Sequence, residues 1–247
     1  IRIAAVIFNS RVGKVHENLE RTIGWIDLAK QQGAEIVIFP EMNLTGYGIG
    51  SEIRDAAQTI PGELTDILQK IADREQITIL AGMAEKDGYD NIYASHPVIQ
   101  PDIPIGIYRK LHIAPPEKPI FSAGNHIPIF EASGIRFGIQ LCYDAHFPEL
   151  STAMAVKDAE IIFIPHASPH GTSESKFNSW MRHLPARAYD NSVFVIACNA
   201  CGDNGNGLNF PGVAAAFDPS GNVLGKCFSD KDDLMIADLK ASDMEKV

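Results

Sequence analysis

The sequence predicts a layered α/β fold in which two sheets pack face to face with helices outside. Three observations carry this reading. Apolar runs of strand length recur along the chain, two stretches alternate strand, helix and strand, and hairpin turns separate those stretches. No composition shift marks a linker and no internal repeat is visible, so residues 1–247 are expected to form one domain.

Ile1 to Phe8 is a β-rich apolar run, followed by Leu19, Ile23 and Ile26 at helical spacing. Ile36-Val37-Ile38-Phe39 reads as a buried strand ending at Pro40-Glu41. Pro61-Gly62-Glu63 opens a second helix with Leu64, Ile67, Leu68 and Ile71 on one face. A strand is expected over 77–83, a turn at Asp87-Gly88, and strands over 93–99 and 105–108. The proline-rich segment from Lys110 to Pro128 has no period and reads as a functional loop. Further on come strand 135–141, helix 148–157, strand 160–164, one long helix over about 173–189, and strand 193–198. A Gly/Asn-rich loop, strand 212–217, the turn Asp218-Pro219-Ser220-Gly221-Asn222, and strands 223–228 and 234–238 complete the chain.

Composition bounds the function. The chain is 45% hydrophobic and 21% charged, ordinary globular usage with enough apolar residues for a substantial core. A formal net charge of −10, with its 21 Lys and Arg residues scattered, disfavours nucleic acid as a partner. Runs such as Ile161-Ile162-Phe163-Ile164 and Val193-Phe194-Val195-Ile196-Ala197 are too short to span a bilayer. Four cysteines are too few for a disulfide scaffold, so a reducing cytoplasm is the expected location. No signal peptide opens the sequence. Ile1 is not an initiator methionine and Glu245-Lys246-Val247 ends abruptly, so residues are expected beyond these ends.

The chemistry centres on Cys142. It follows the apolar run Ile135 to Leu141 and precedes Tyr143-Asp144-Ala145-His146-Phe147-Pro148-Glu149-Leu150: a strand, a cysteine, a tight turn, and a helix entered through a proline. A thiol there is held on rigid elements, with turn N–H groups free to face what it attacks. Such a nucleophile needs a base, donors for the oxyanion, and a proton carrier for the leaving group. Glu41 emerges directly after a buried strand and a proline, and Lys110 follows the strand-like Ile105 to Arg109. Taken singly, these are an exposed carboxylate, a solvated lysine and a small buried thiol. All three nonetheless fall at strand ends, where layered α/β folds assemble their sites.

The words around them resemble the nitrilase (carbon–nitrogen hydrolase) superfamily. Phe39-Pro40-Glu41 with Leu44-Thr45-Gly46-Tyr47, then Tyr108-Arg109-Lys110-Leu111-His112, then Leu141-Cys142-Tyr143-Asp144 with Phe147-Pro148-Glu149-Leu150 follow that family's order. Ala186-Arg187-Ala188, Asn191, Asn199 and Asp218-Pro219-Ser220-Gly221 extend the resemblance over nearly the whole chain. It implies a four-layer α-β-β-α sandwich with two mixed sheets. It implies Glu41 as general base, Lys110 as the cation on the tetrahedral intermediate, Cys142 as the nucleophile that forms a thioester, and Glu117 as a second glutamate near the triad. Tyr143-Asp144 after the nucleophile is similar to the amidase and ω-amidase-like branches, whereas true nitrilases commonly place Trp-Glu there. The implied reaction is hydrolysis of a small carboxamide with release of ammonia, without metal or organic cofactor. An N-carbamoyl amide hydrolase would use the same triad, and an inactive binding scaffold is the non-enzyme alternative.

Tyr47, His112, Tyr143, His146, His166 and His170 are the candidates to line the substrate pocket, with Asn199 more distant. Many amidase-like members carry Arg-Phe-Pro-Glu where this chain has His146-Phe147-Pro148-Glu149, and a neutral imidazole there weakens the case for an anionic substrate. The resemblance also implies a homodimer or higher homo-oligomer through helices 148–157 and 173–189, partly burying Met154, Trp180 and Met181. Cys198-Asn199-Ala200-Cys201 with His166 and His170 fits a zinc site only loosely, because the histidines flank Pro169 and there is one cysteine pair. The loop from Cys201 to Gly207 has the glycines of a phosphate cradle but neither the P-loop lysine nor a following helix, and reads as a turn near the site.

Overall fold

The structure, a computed structural model, describes residues 1–244; the abrupt ending at 245–247 lies outside the described residues. The first half of the chain runs β1 (Arg2–Ile7), α1 (Val15–Gln31), β2 (Ile36–Ile38), α2 (Ser51–Ala56), α3 (Glu63–Glu75), β3 (Thr78–Leu80), β4 (Met83–Lys86), β5 (Ile92–Ile99) and β6 (Gly106–Arg109). It continues with β7 (Phe130–Ala132), β8 (Ile135–Ile139), α4 (Pro148–Ala155), β9 (Ile161–His166), α5 (Ser173–Trp180), α6 (Leu184–Tyr189) and β10 (Phe194–Asn199). The short pair β11 (Gly202–Asp203) and β12 (Asn209–Phe210), then β13 (Gly212–Phe217), β14 (Val223–Ser229) and β15 (Asp233–Asp238), follow.

The central strands are apolar on both faces because both faces are covered. In β1 and β2, Ile3, Ala5, Ile7, Ile36 and Ile38 point into the space between the sheets, while Ala4, Val6 and Val37, with Phe8 and Phe39 just past the strand ends, pack under Leu19 and Ile26 of α1 and Leu64, Leu68 and Ile71 of α3. One sheet has the order β15-β1-β2-β3-β5-β4, with β6 on β5; its β1–β2 and β2–β3 pairs are parallel. The other has the order β14-β13-β10-β9-β8-β7, with β8–β9 and β9–β10 parallel. β1 packs on β10 and β13, and Phe177, Trp180, Leu184 and Ala188 of α5 and α6 cover the second sheet. The expected α-β-β-α sandwich with mixed sheets is what the chain forms.

Local differences from the sequence reading have physical causes. The expected long helix over 173–189 is two helices broken at 181–183, because Pro185 lacks an N–H and its ring excludes the carbonyl of residue 181. The strand expected over 77–83 divides into β3 and β4 at Ala81-Gly82. There the backbone lies against the turn that carries Glu41: a Cβ on Gly82 would meet the Met42 nitrogen at 2.4 Å. Helix α2 and the strands β7, β11 and β12 were not expected; each is short, and several lean on tertiary contacts. Met154 and Trp180, expected to be partly buried by a partner, are instead core residues of the chain itself, 0% and 2% exposed, whereas Met181 is 39% exposed.

Candidate active site

Four strand ends from both sheets converge at one edge. β2 delivers Glu41, β6 delivers Lys110, β8 delivers Cys142 through Gln140-Leu141, and β9 delivers His166-Ala167. Parallel central strands all present their carboxyl ends on the same side, which is why residues so far apart in sequence meet. Glu41, Lys110 and Glu117 are 1%, 0% and 3% exposed, so three ionisable groups share one buried site.

Their geometry compensates for that burial. Lys110 Nζ donates to Glu41 Oε1 at 2.9 Å and to Glu117 Oε1 at 2.9 Å, with Glu117 Oε2 at 2.8 Å. Glu117, in a short 3-10 turn over Pro115–Glu117, also accepts the Tyr47 hydroxyl at 2.9 Å and the Ala114 N–H at 3.0 Å. Glu41 Oε2 accepts the Ala167 N–H at 3.2 Å, which also donates to the Cys142 sulfur. The Asn204 side chain, in the glycine-rich loop, donates to the Tyr47 carbonyl at 2.9 Å, so that loop holds the tyrosine.

The electrostatics follow from burial and pairing. Burial raises the Glu41 pKa most, Lys110 opposes it and Glu117 adds to it, for a result of about 7. Burial also works against the Lys110 charge, but Glu41, Cys142 and Glu117 outweigh it and hold the pKa above the ordinary lysine value. The Cys142 thiol is pushed up to about 12, by burial first and then by Glu41. The resting site is therefore a neutral thiol beside a carboxylate poised near neutrality and a fixed ammonium.

Asp144 ties the segment around Cys142 to the segment around Lys110. Its buried carboxylate accepts the His112 N–H at 2.8 Å and the His112 ring Nδ1–H at 2.8 Å on Oδ1. Oδ2 accepts the Tyr108 hydroxyl at 2.7 Å and the Leu141 N–H at 3.0 Å. Tyr108 and His112 bracket Lys110, and Leu141 precedes Cys142. Cys142 itself opens a 3-10 turn over Cys142–His146 with φ at +45°, a left-handed conformation unusual for a residue with a Cβ.

Comparison with known proteins bears on the family and the fold. The family model described as carbon-nitrogen hydrolase matches residues 2–247. The chain belongs to the carbon–nitrogen hydrolase family. It is 31% identical over 245 residues to a nitrilase of Pyrococcus abyssi, covering 97% of this chain and 89% of the relative. It is 29% identical over 230 residues to an (R)-stereoselective amidase of Pseudomonas sp, covering 91% of this chain and 80% of the relative. Its fold is similar to that of a mutant amidase from Nesterenkonia sp. AN1 in which acrylamide has added to the active-site cysteine. The TM-score is 0.86 at 25% identity, covering 99% of this chain and 95% of that one.

Within this carbon–nitrogen hydrolase the residues singled out in the sequence divide into groups. Glu41, Lys110, Glu117, Cys142 and Tyr47 come together as described. Tyr143 stands beside Cys142, its ring edge against Phe147 and near His146. His146 stacks on His183 with ring centroids 4.7 Å apart, and His166 is buried with its Nδ1 on the Ile164 carbonyl and its ring 4.5 Å from Trp180. His112 is committed elsewhere: besides Asp144, its ring stacks on Phe147 and faces a separate groove lined by Ile127, Leu150 and Ala153. His170 is exposed, and it is its N–H, not its ring, that bonds Asn209. Cys198 is buried in β10 with its sulfur toward the Ile38 carbonyl, and the Cys201 sulfur lies 3.7 Å from Asp232. Sequence reasoning missed the tethering roles of Tyr108 and Asp144 and the Ala167 N–H. The flanking of Lys110 by Tyr108 and His112 was a visible signal for the first pair; the last depends on how the end of β9 meets Glu41 from the other sheet.

Proposed function

We propose that this carbon–nitrogen hydrolase is an amidase that cleaves a small linear carboxamide through a thioester on Cys142 and releases ammonia. The observation that carries the reading is the buried cluster in which one ammonium, Lys110, is held between Glu41 and Glu117 beside the Cys142 sulfur. An inert core would not retain three ionisable groups and a strained cysteine in one place.

The chemistry follows. Glu41 takes the Cys142 proton as the sulfur attacks the carbonyl carbon, and the carbonyl π pair moves onto oxygen. Lys110 and the Tyr143 N–H, in a turn whose first N–H groups have no intrahelical partner, stabilise that oxyanion. One donor of this kind is worth about 3–4 kcal/mol of barrier. Glu41 returns the proton to the departing nitrogen as the C–N bond breaks, which leaves ammonia and the thioester. Water then loses a proton to Glu41, its oxygen bonds to the carbonyl carbon, the C–S bond breaks, and the proton returns to sulfur with release of the carboxylic acid. Glu117 and Tyr47 keep the ammonium fixed throughout.

The working form is read as a cytoplasmic homodimer. Its four cysteines are free, and the outer face of α4, with Pro148, Thr152 and Ala153, and Val156 at its end offer apolar surface for a second copy. No helix among the described residues is long and apolar enough to cross a membrane.

The test is ammonia release from aliphatic amides, ω-amides, N-carbamoyl compounds and nitriles by the wild type and by Cys142→Ala. Amide turnover that vanishes in Cys142→Ala supports the reading. Turnover confined to nitriles or N-carbamoyl compounds overturns it.

A further inference from the structure

Helix α6 is short, yet it meets the turn that carries Cys142 at two adjacent residues. Leu184 and Ala188, fully buried, anchor the helix in the core against β10 and β13. One position before each of them stand His183, at the helix cap, and Arg187. They are four apart, with the Arg187 N–H on the His183 carbonyl at 3.1 Å, and so lie side by side. The His183 ring stacks on His146 with centroids 4.7 Å apart, and Arg187 Nε donates to the Ala145 carbonyl at 2.9 Å. Ala145 and His146 are the last two residues of the Cys142–His146 turn.

Arg187 is an unusual residue to find there. It is 8% exposed, and no carboxylate lies within ion-pair distance of it among the described residues. Asp190 and Glu149 act on it from farther away, and burial works against its charge. Burying a guanidinium without a paired carboxylate costs free energy. Its one side-chain hydrogen bond among the described residues is the bond to Ala145. The stacked pair beside it does not oppose it: burial first, then its neighbours, hold His183 at about 4, and burial and Arg187 lower His146, so both rings stay neutral.

The turn so held has little else to fix it. Cys142 opens it at φ +45°, a conformation that persists only where the surroundings over-determine it. Inside the turn, the Asp144 N–H bonds the Leu141 carbonyl and the Phe147 N–H the Asp144 carbonyl, each at 3.0 Å. The Asp144 carboxylate grips the Leu141 N–H on the upstream side, and Arg187 grips the backbone on the downstream side. A charge-assisted bond to a buried carbonyl is stronger than a neutral one and fixes that peptide plane, three residues from the sulfur and two from the Tyr143 N–H.

We propose that Arg187 is a positioning residue: through the Ala145 carbonyl it fixes the turn that aims the Cys142 sulfur and the Tyr143 N–H at one carbonyl group. This rests on Cys142 being the nucleophile of the proposed amidase, and it names a group that maintains the attack geometry. Arg187 acts through the backbone rather than on the reacting atoms. A misplacement of about 1 Å at such a site costs roughly a hundredfold in rate.

The experiment measures two rates, each scaled to the folded fraction read by circular dichroism. One is ammonia release from the small amides of the substrate panel; the other is labelling of Cys142 by iodoacetamide, followed by peptide mass. The enzymes are wild type, Arg187→Met, which removes the donor, and Arg187→Gln, whose amide nitrogen stands as many bonds from the backbone as Nε. Arg187→Met is expected to lower kcat about tenfold to hundredfold with KM changed less than about twofold, and to slow Cys142 labelling by a similar factor. Arg187→Gln is expected to recover most of both rates. Should Arg187→Met not fold, His183→Leu loosens the same turn from the neighbouring contact and is expected to slow labelling about threefold to tenfold. Folded Arg187→Met that labels and turns over like wild type, even with a lower melting temperature, overturns the assignment and leaves the amidase reading intact. Arg187→Gln as slow as Arg187→Met, or His183→Leu that labels like wild type where it stands in, also overturns it. Wild type that releases ammonia from no amide overturns the amidase reading, and the labelling rates still decide the role of Arg187.

Discussion

Glu41 is the proposed general base, and its environment has consequences of definite sign. Its pKa, about 7 in the fold, lies above the ordinary 4.5, so the protonated form favours the folded state. That contribution is complete below the ordinary carboxylate range and is lost as pH rises through about 7. A base must be deprotonated, so kcat/KM is expected to climb with unit slope up to about pH 7. Glu41→Gln is expected to abolish turnover and to raise the melting temperature more at pH 8.5 than at pH 6, by about 2–4 °C for each kcal/mol gained. A melting temperature that falls equally at both pH values would contradict this. Asp144→Asn keeps the shape but sets an NH2 against N–H donors from His112 or Leu141. It is expected to cost about 1–3 kcal/mol of stability and to lower kcat about tenfold to hundredfold. Melting curves together with the rate of Cys142 alkylation check it, since a purely structural role would leave the labelling rate of the folded protein unchanged.

Elements show what was legible in the sequence and what was not. β1, β2, β9, β10 and β13 are buried throughout apart from Arg2, and appeared as plain apolar runs; α1 and α3 appeared through their periodic stripes. Pro185 was visible, but the long apolar-polar pattern on either side of it masked the break between α5 and α6. Gly82 was readable only as part of a strand, because its significance is a backbone contact from forty residues upstream in the chain. Gly82→Ala tests that contact: its Cβ would press on Met42, next to Glu41, and is expected to cost about 1–3 kcal/mol and to reduce kcat. A variant as active and stable as wild type would show that the close approach does not position the glutamate.

At the scale of the molecule, the order of the three motifs along the chain was enough to suggest the sandwich and the reaction class, since strand ends brought together by a parallel sheet leave signatures far apart in sequence. Histidine positions were less informative: His112 proved to be a ligand of Asp144 and His170 a surface residue, because ring orientation is set by contacts that no local pattern encodes. The proposed pairing uses the outer face of α4 and its C-terminal end, where Val156 is 78% exposed. Val156→Asp is expected to shift the sedimentation profile from dimer toward monomer, and a wild type that sediments as a monomer at micromolar concentration would contradict the proposed pairing. The central claim is that Cys142 carries the acyl group, and acid-quenched mass spectrometry during turnover of an amide tests it most directly. The account expects the Cys142 peptide to gain the mass of the acyl group, with no adduct and no ammonia release in Cys142→Ala. Ammonia release that persists in Cys142→Ala, or an acyl group found on Cys198, Cys201 or Cys227 instead, would contradict it.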